Sequence, residues 1–207
     1  MSKRYSAKKK LSRKFGGSLW GQANDPYHKR NYRPGQHGAT ARIRNSDYGT
    51  QLKAKQTMKF SYGNISEKQF HNTFVQATKM KGDVSENFIS LLELRLDSVV
   101  YRANFVPTVF AARQFVNHKH ITVNGQVVNI PSYRLKIGDV VEVRSKSQKI
   151  AMVIESLQKM ERDAPTYLAV DKENALVKVV EKPSFAEVPY AIEMQPNLVT
   201  EFYSRQL

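Results

Sequence analysis

Two adjacent residues near the middle of the chain, Asn124 and Gly125, constrain the fold more than any other feature. They separate two short β-prone segments, residues 121–123 and 126–128. Both central positions of a type I′ turn need a positive φ, which asparagine and glycine tolerate better than other residues. The pattern therefore predicts a tight antiparallel hairpin, and the apolar run at residues 140–143 predicts a further strand.

Helical signals precede this hairpin. Ser66 with Gln69 and Asp83 with Glu86 each have the spacing of a capping box, and Gly82 lies where the first helix should end. Residues with helical spacing then form two apolar faces: Phe70, Phe74, Ala77, Phe88, Ile89, Leu91, Leu92 and Leu94. The sequence therefore predicts two packed helices that form a structural core.

Two shorter helices are predicted between residues 97 and 117. Asp97 is a candidate N-cap of a helix that runs through Asn104, and Thr108 begins the second helix after Pro107. In the second helix the residues predicted to face inward are Phe110, Ala111, Phe115 and Val116, and those left outside are Arg113, Gln114 and Asn117.

The C-terminal third combines both types of element. Strands are predicted over residues 167–170 and 175–180, and the preceding helix is expected to end before Pro165. A last short helix is expected to begin at Asn197. The apolar residues of these two helices are Ile150, Val153, Ile154, Leu157, Leu198, Val199 and Phe202. The predicted fold class is α+β.

The charge of the chain is strongly positive and unevenly distributed. The net charge is +15, from 33 Lys+Arg against 18 Asp+Glu. Residues 1–55 hold 14 basic and 2 acidic side chains (+12), residues 56–94 are neutral, residues 95–150 carry +6, and residues 151–207 carry −3. Two basic zones around a neutral one indicate a polyanionic ligand, and nucleic acid is the predicted partner.

Several functional classes find no support in the sequence. The chain has no cysteine, which excludes disulfides, thiolate zinc sites and cysteine nucleophiles. Its five histidines show no metal-ligand spacing, and no cofactor, small-molecule substrate or membrane association is predicted. The basic N-terminus is also typical of a mitochondrial transit peptide, but its glycines and prolines would interrupt the amphipathic helix of such a peptide.

Residues 1–46 form most of the first basic zone and have poor periodicity. We expect an extended basic arm that orders only against its partner. Gln36 and His37 lie between two glycines, which favours either close approach to RNA or a simple surface turn. The aromatic side chains stack on bases or anchor the arm, and anchoring is preferred for Trp20. The predicted phosphate contacts of this arm, with a solvated tail as the alternative, are Lys8, Lys9, Lys10, Arg13, Lys14, Arg42 and Arg44.

The second basic zone includes the end of the predicted helix that leads into the hairpin. Arg113, His118, Lys119 and His120 would bring cationic donors and backbone amides to one small surface, which suits RNA phosphates. A solvated helix C-terminus is the alternative, because cations stabilise helix C-termini in any protein. The charge excess of the first zone favours binding.

At these residues the chain resembles a known family. Its central motifs are similar to the S-four RNA-binding module: Arg95-Leu96-Asp97, Val99-Val100-Tyr101-Arg102, Ala112-Arg113-Gln114, His118 to His120, residues 121–125 and Pro131-Ser132-Tyr133. Motifs outside the module resemble the small-subunit ribosomal proteins of the S-four family over essentially the whole chain: residues 34–39, residues 46–49, Gln51-Leu52, Lys55-Gln56 and residues 201–204.

The resemblance implies a mostly helical first domain into which an RNA-binding module of helices and a small antiparallel β-sheet is inserted. The expected domains are a basic arm (1–46), a helical domain (47–94) completed by a C-terminal helix (197–207), and the module with its sheet (95–185). Some family members hold zinc through N-terminal cysteines, and no metal is carried over because this chain has none.

The resemblance also implies a non-enzymatic role as a structural constituent of the small ribosomal subunit. Expected properties are early binding to the 5′ domain of small-subunit rRNA, nucleation of assembly, contact with protein S-five, and an effect on translational accuracy beside the channel by which mRNA enters. The expected location is a ribosome of the cytoplasm or of an organelle. The candidate RNA-binding residues are Lys8, Lys9, Lys10, Arg13, Lys14, Arg33, Gln36, His37, Arg42, Arg44, Lys53, Arg102, Arg113, Gln114, His118, Lys119, His120, Asn124, Tyr133 and Lys136.

Two further functional classes stay open at this point. Arg95-Leu96-Asp97 is similar to the catalytic aspartate motif of pseudouridine synthases, some of which carry the same module. Here the triplet opens the module instead of following it, so Asp97 is interpreted as a helix cap. A regulatory role is compatible with the ribosomal one, because the same surface would bind an mRNA that mimics the rRNA site.

Overall fold

A computed structural model describes residues 9–41, 46–159 and 162–205. In chain order the helices are α1 (Lys9–Phe15), α2 (Pro26–Lys29), α3 (Asp47–Ser61), α4 (Glu67–Thr78), α5 (Val84–Glu93), α6 (Leu96–Arg102), α7 (Val109–Asn117), α8 (Ser145–Gln148), α9 (Ala151–Lys159) and α10 (Pro196–Ser204). The strands are β1 (Ile121–Val123), β2 (Gln126–Val127), β3 (Val140–Val143), β4 (Leu168–Asp171) and β5 (Leu176–Val179), and a 3₁₀ helix spans Phe185–Glu187. This content confirms the predicted α+β class.

The chain divides into two compact units. The first consists of Met1–Val75 with Tyr190–Leu207, and the second of Gln76–Pro189. The expected functional division at residues 46, 94 and 185 stays a prediction. None of the helices in the described parts of the chain has the length and apolar content needed to cross a bilayer.

The first unit has a core that includes part of the predicted arm. Leu11, Phe15 and Leu19 are buried together with Phe60 of α3. Trp20 packs against this cluster, and its indole Nε1 donates to the carbonyl of Ser61 at 3.3 Å. The expectation that residues 1–46 order only against a partner is therefore wrong for residues 9–20. The physical reason is that Leu11 and Phe15, four residues apart, give the short helix α1 one buried face despite the surrounding lysines, and Leu19 joins the same cluster after the helix has ended.

The C-terminal helix α10 completes the first unit by packing against α3. It begins at Pro196, one residue before the predicted start, and buries Val199 and Phe202 as predicted, while Leu198 is only half-buried. Tyr203 is also buried, and its ring stacks on Phe74 with centroids 5.0 Å apart.

His71 of α4 also contacts α10. It is half-buried, and its ring meets the ring of Tyr203 edge-on, with centroids 5.3 Å apart.

The second unit contains a five-stranded antiparallel sheet in the order β2-β1-β3-β5-β4. Thr122 pairs with Val127 across the hairpin, and Asn124 (φ 50°) and Gly125 (φ 78°) occupy its turn as predicted. The apolar side of the sheet is buried, with Val141 of the central strand β3 paired to Val123 on one side and Val177 on the other.

Several details of the second unit differ from the sequence prediction. Arg113, which was predicted to lie on the outside of α7, is half-buried. Ala112 replaces Ala111 on the buried face of α7, beside Phe115 and Val116. In α9 the buried side chains are Val153 and Ser156, whereas Ile154 is 43% exposed. The N-cap position of α6 is Arg95, so Asp97 lies inside the first turn and is not the cap. Its carboxylate accepts hydrogen bonds from Arg95 instead.

Candidate nucleic-acid interface

Helix α7 positions the predicted RNA-binding residues of the second unit. The Thr108 hydroxyl accepts from the amide of Ala111 at 3.1 Å and so fixes the start of the helix. Because the opposite face is buried, Gln114 and His118 are left exposed at its C-terminal end. The chain then reverses through Lys119, which has a φ of 63° and is fully on the surface. A cation therefore stands at the junction between helix and hairpin.

His118, Lys119 and His120 lie side by side but have different roles. The ring of His120 stacks on Phe115 with centroids 4.6 Å apart, and its Nδ1 lies 2.8 Å from the Ser147 hydroxyl. Burial lowers the pKa of His120, and the neighbouring charges of His118 and Arg144 lower it further. His120 is therefore neutral near pH 7 and packs beneath this surface. The positive charge of the surface comes from Lys119.

Asn124 holds the hairpin turn to the next turn of the chain. Its Nδ2 donates to Asp139 Oδ1 at 2.9 Å, and its Oδ1 accepts from the Val140 amide at 2.9 Å. The second carboxylate oxygen of Asp139 accepts from the amide of Lys136 at 2.8 Å. The side chain of Lys136 is left exposed, so one carboxylate organises both turns around a free lysine.

The start of α6 carries a cluster of guanidinium groups around Asp97. Arg95 donates through Nε and NH2 to the two carboxylate oxygens of Asp97, at 2.9 and 2.6 Å, and both side chains are buried. Burial raises the pKa of Asp97, although the charges of Arg95 and Arg113 act in the opposite direction. An aspartate enclosed in this way cannot serve as an exposed nucleophile, which removes the structural basis of the pseudouridine synthase alternative.

The segment before β3 runs beside this cluster. The carbonyl of Tyr133 accepts a hydrogen bond from the Leu96 amide at 2.9 Å. The backbones of Arg134 and Arg95 form an isolated antiparallel β-bridge. Partial burial lowers the pKa of Arg134, and the charge of Arg95 adds to this effect. The side chain of Tyr133 is 39% exposed, so an aromatic ring stands next to cationic groups on this surface.

Arg102 has a different place from the one that the sequence suggested. Its Nε and NH2 donate to the two carboxylate oxygens of the fully buried Glu93, at 3.0 and 2.9 Å, and its NH1 donates to the Pro189 carbonyl. The Tyr167 hydroxyl donates to the same carboxylate at 2.8 Å. The guanidinium of Arg102 is thus used inside the second unit, and this geometry favours a structural role.

The first unit presents a separate basic surface. Lys10, Lys14 and Lys53 are exposed, as are Gln36 and His37 in a turn closed by the bond from the Gly38 amide to the Gly35 carbonyl at 3.2 Å. A Cβ at Gly38 would lie 1.8 Å from the Arg33 carbonyl oxygen, so this turn requires glycine.

Arg13 and Arg33 contribute less to the exposed positive charge of this surface than its lysines do, because both are partly buried. Arg13 donates to the carbonyls of Tyr32 and Arg33 at 3.0 and 3.2 Å, and its guanidinium lies 4.8 Å from the Tyr32 ring centre. Arg33 is half-buried. Lys8, Arg42 and Arg44 lie outside the described residues, and only the backbone of Lys9 is described.

Sequence reasoning missed several exposed cations of the second unit. Arg144, Lys146 and Lys149 lie on the surface at and after the end of β3, and Arg144 donates to the Lys119 carbonyl at 3.0 Å. The charge excess of residues 95–150 indicated that such cations exist. No neighbouring residue in the sequence indicated that Arg144 lies next to the hairpin. Within the described part of the chain, no group of three histidine or acidic side chains forms a metal site.

Comparisons with known proteins agree with this arrangement. The family described as Ribosomal protein S4/S9 N-terminal domain matches residues 3–93, and the family described as S4 domain matches residues 94–141. Relatives named Small ribosomal subunit protein uS4, from Brucella abortus and Azorhizobium caulinodans, are each 56% identical over 205 residues, which cover 99% of this chain and 100% of the relative. The family to which these names belong consists of structural ribosomal proteins, in agreement with the prediction that this chain is not an enzyme. The chain therefore belongs to the uS4 family of small ribosomal subunit proteins.

Proposed function

We propose that this chain is a structural protein of the small ribosomal subunit that binds the 5′ domain of small-subunit rRNA. The observation that carries the proposal is the set of free cations on the second unit. Lys119, Lys136 and Arg144 are exposed and form no ion pair with an acid among the described residues. Exposed cations on hydrogen-bonded segments beside the hairpin suit a ligand of fixed phosphate geometry.

The internal bonds of the hairpin support a preformed binding surface. The Asn124–Asp139 contact and the Arg144 bond to the Lys119 carbonyl hold these backbone segments before any ligand arrives. A preformed surface loses less conformational entropy on binding than a disordered one. It is therefore suited to early binding, which supports a role in nucleating subunit assembly.

Finer roles extend this proposal, and family membership supports them. They are contact with protein S-five, a position beside the channel by which mRNA enters, an effect on translational accuracy, and location in a cytoplasmic or organellar ribosome. The same cationic surface would also accept an mRNA that mimics the rRNA site, which would make the protein a repressor of its own synthesis.

The test is a comparison of two RNAs over a salt series. The full chain is titrated with a 5′-domain rRNA fragment and with unrelated structured RNA of equal length. We expect a preference for the fragment that survives moderate salt, because shape-specific contacts persist when counterion release weakens. Equal and equally salt-sensitive binding to both RNAs would reduce the protein to a general RNA binder.

Matched charge variants locate the binding surface. Lys119→Gln with Lys136→Gln should weaken binding of the fragment about tenfold or more, as expected for two lost phosphate contacts. Lys172→Gln with Lys79→Gln removes the same charge from exposed positions in the β4–β5 turn and after α4, and should have a smaller effect. Equal losses for the two pairs would mean that only net charge matters.

A further inference from the structure

Two arginines of the second unit, Arg95 and Arg134, lie directly opposite each other in an isolated antiparallel β-bridge. The amide after each arginine donates to the carbonyl before the other, between residues 94–96 and 133–135, at 2.9 Å in both cases. The two arginines are therefore a non-hydrogen-bonded pair, in which the Cα atoms are about 4.5 Å apart and the side chains approach more closely than in a hydrogen-bonded pair.

Like charges at opposite positions of an antiparallel pair destabilise it, so each arginine needs a negative charge nearby. Arg95 has one, because it donates to both carboxylate oxygens of Asp97. The same carboxylate also accepts from the Ser98 amide at 3.1 Å, and the charge of Arg113 acts on it as well. Asp97 is thus already used by other groups and does not compensate Arg134.

Arg134 forms no ion pair among the described residues. Its side chain reaches the surface, but partial burial lowers the pKa of the guanidinium, and the charge of Arg95 lowers it further. Both effects disfavour the charged form in the free protein, and an anion bound next to Arg134 would offset both. The opposed pair therefore indicates an anionic ligand.

A phosphate group suits this position. An arginine fork binds a phosphate through two parallel hydrogen bonds, and Arg95 adds a second positive charge close to it. The net charge of the chain is +15, which favours a polyanion over a single acidic side chain of another protein. The backbone of RNA supplies such phosphates in a fixed series.

We infer that Arg134 binds one phosphate group of the RNA backbone beside the Arg95–Asp97 pair. The inference rests on the RNA-binding function proposed above and adds a contact residue that the sequence did not indicate. Because Arg95 directly precedes α6, this contact extends the binding surface from the hairpin to the start of that helix.

The test measures stability and RNA affinity for the same variant of the full chain. Arg134→Gln removes the like charge opposite Arg95 and keeps the backbone bridge, so the thermal midpoint of the free protein should not fall. Affinity for the 5′-domain fragment should fall about tenfold or more, as for one lost charge-assisted contact. The slope of log K against log salt should decrease by about 0.7–0.9. Lys172→Gln removes the same charge from the β4–β5 turn and should have a smaller effect on affinity.

Ethylation of single phosphates in the fragment identifies the group that is bound. Ethylation removes the phosphate charge, so at one position it should weaken binding of the wild type but not of Arg134→Gln. Arg134→Lys keeps the charge without the fork, and it should keep the salt slope of the wild type but bind the fragment less tightly.

Three results would overturn the inference while leaving the proposed function intact. The first is wild-type affinity and an unchanged ethylation pattern for Arg134→Gln. The second is a fall in both its midpoint and its affinity, which would show a structural role. The third is a midpoint that inorganic phosphate raises in the wild type but not in Arg134→Gln, compared with chloride at equal ionic strength, while RNA binding is the same for both. That result would assign the position to free phosphate. Wild-type protein that does not prefer the fragment over unrelated RNA overturns the proposed function itself, and the inference with it.

Discussion

Charged side chains of this protein divide into those used inside the fold and those left on its surface. Glu93 and Asp97 are buried, and each accepts two hydrogen bonds from one arginine. Removing one partner of such a pair leaves the other charge buried and uncompensated, which costs far more than losing an exposed pair. The buried arginines are therefore needed for stability, whereas the exposed lysines remain accessible to a ligand.

Replacement of Asp97 by asparagine distinguishes the ion pair from a helix cap. Asp97→Asn should lower the free energy of unfolding by about 3–5 kcal/mol, because Arg95 would remain buried without a carboxylate. Denaturant unfolding measures this loss. The matched control is Asp83→Asn at the start of α5, where Asp83 does accept from the Glu86 amide and asparagine caps equally well. Equal, small effects at both sites would restore the cap interpretation of Asp97.

The stability of the first unit should depend on the ionisation of Glu67. Burial raises the pKa of Glu67, but hydrogen bonds from Tyr203 and Lys55, with the charge of Lys55 and a bond from Lys59, outweigh it and bring the pKa from 4.5 to about 2. Because the folded-state pKa lies below the ordinary value, this stabilisation is present above about pH 4.5 and is lost as the pH falls towards 2.

Glu67→Gln tests this pH dependence. The variant should lose about 1–2 kcal/mol at pH 7, a reduced figure because the Glu67 side chain is 46% exposed. The difference from the wild type should shrink as the pH falls from 4.5 towards 2. Urea unfolding at a series of pH values measures it, with exposed Glu201→Gln of α10 as the control. A difference that stays constant with pH would contradict the assignment.

At the scale of elements, local signals predicted the structure where they were strong. The Asn124-Gly125 turn and the N-caps Asp83 and Thr108 depend on neighbouring residues only, and all three are present. Helix α3 has an N-cap, Ser46, but it lacks an apolar periodicity, because Gln51, Lys55 and Thr57 lie on its buried face. Such polar burial is possible only through tertiary partners, such as Glu67 for Lys55, which a sequence pattern does not reveal.

The binding surface could be predicted only in part for a related reason. Lys119 and Lys136, two candidate RNA-binding residues of the sequence prediction, are exposed in the structure, but Arg102 has the same residue type and helical setting as a surface arginine. Its burial depends on Glu93, nine positions earlier, and on Tyr167 in a distant segment. Likewise, Arg144 approaches Lys119 only because β3 pairs with β1.

Two neighbouring residues of α1 should separate stability from RNA binding. Leu11→Ala should lower the free energy of unfolding by about 2–5 kcal/mol, because Leu11 is 2% exposed and its loss leaves a cavity beside Phe15 and Phe60. Lys10→Gln, on the exposed face, should leave stability unchanged and weaken RNA binding at low salt. Thermal unfolding and RNA titration measure the two effects. A negligible loss for Leu11→Ala would mean that α1 is not part of the core in solution.

At the scale of the whole molecule, the two basic zones frame a neutral segment, and the structure places exposed cations from each zone in a different compact unit. If both surfaces contact one RNA, each neutralised phosphate contributes separately to the release of counterions. Salt dependence therefore reports how many surfaces are engaged.

Charge removal from both units should have additive effects on the salt dependence. Lys10→Gln with Lys14→Gln, and Lys119→Gln with Lys136→Gln, should each reduce the slope of log K against log salt by about 1.4–1.8. The four-site variant should show the sum of the two reductions. Fragment titrations at several salt concentrations give these slopes, and Lys172→Gln serves as a control outside both surfaces. An unchanged slope for the first pair would mean that the first surface stays in solvent.

The packing of α10 against α3 also has a consequence for biosynthesis. Both helices belong to the first unit, but residues 196–204 are synthesised after the whole of the second unit. Helix α3 therefore leaves the ribosome that makes it long before its packing partner exists, whereas the segments of the second unit become complete earlier. The middle of the nascent chain can fold before its beginning, and the side chains of α3 that pack against α10 stay uncovered until the last helix emerges, a state that favours aggregation.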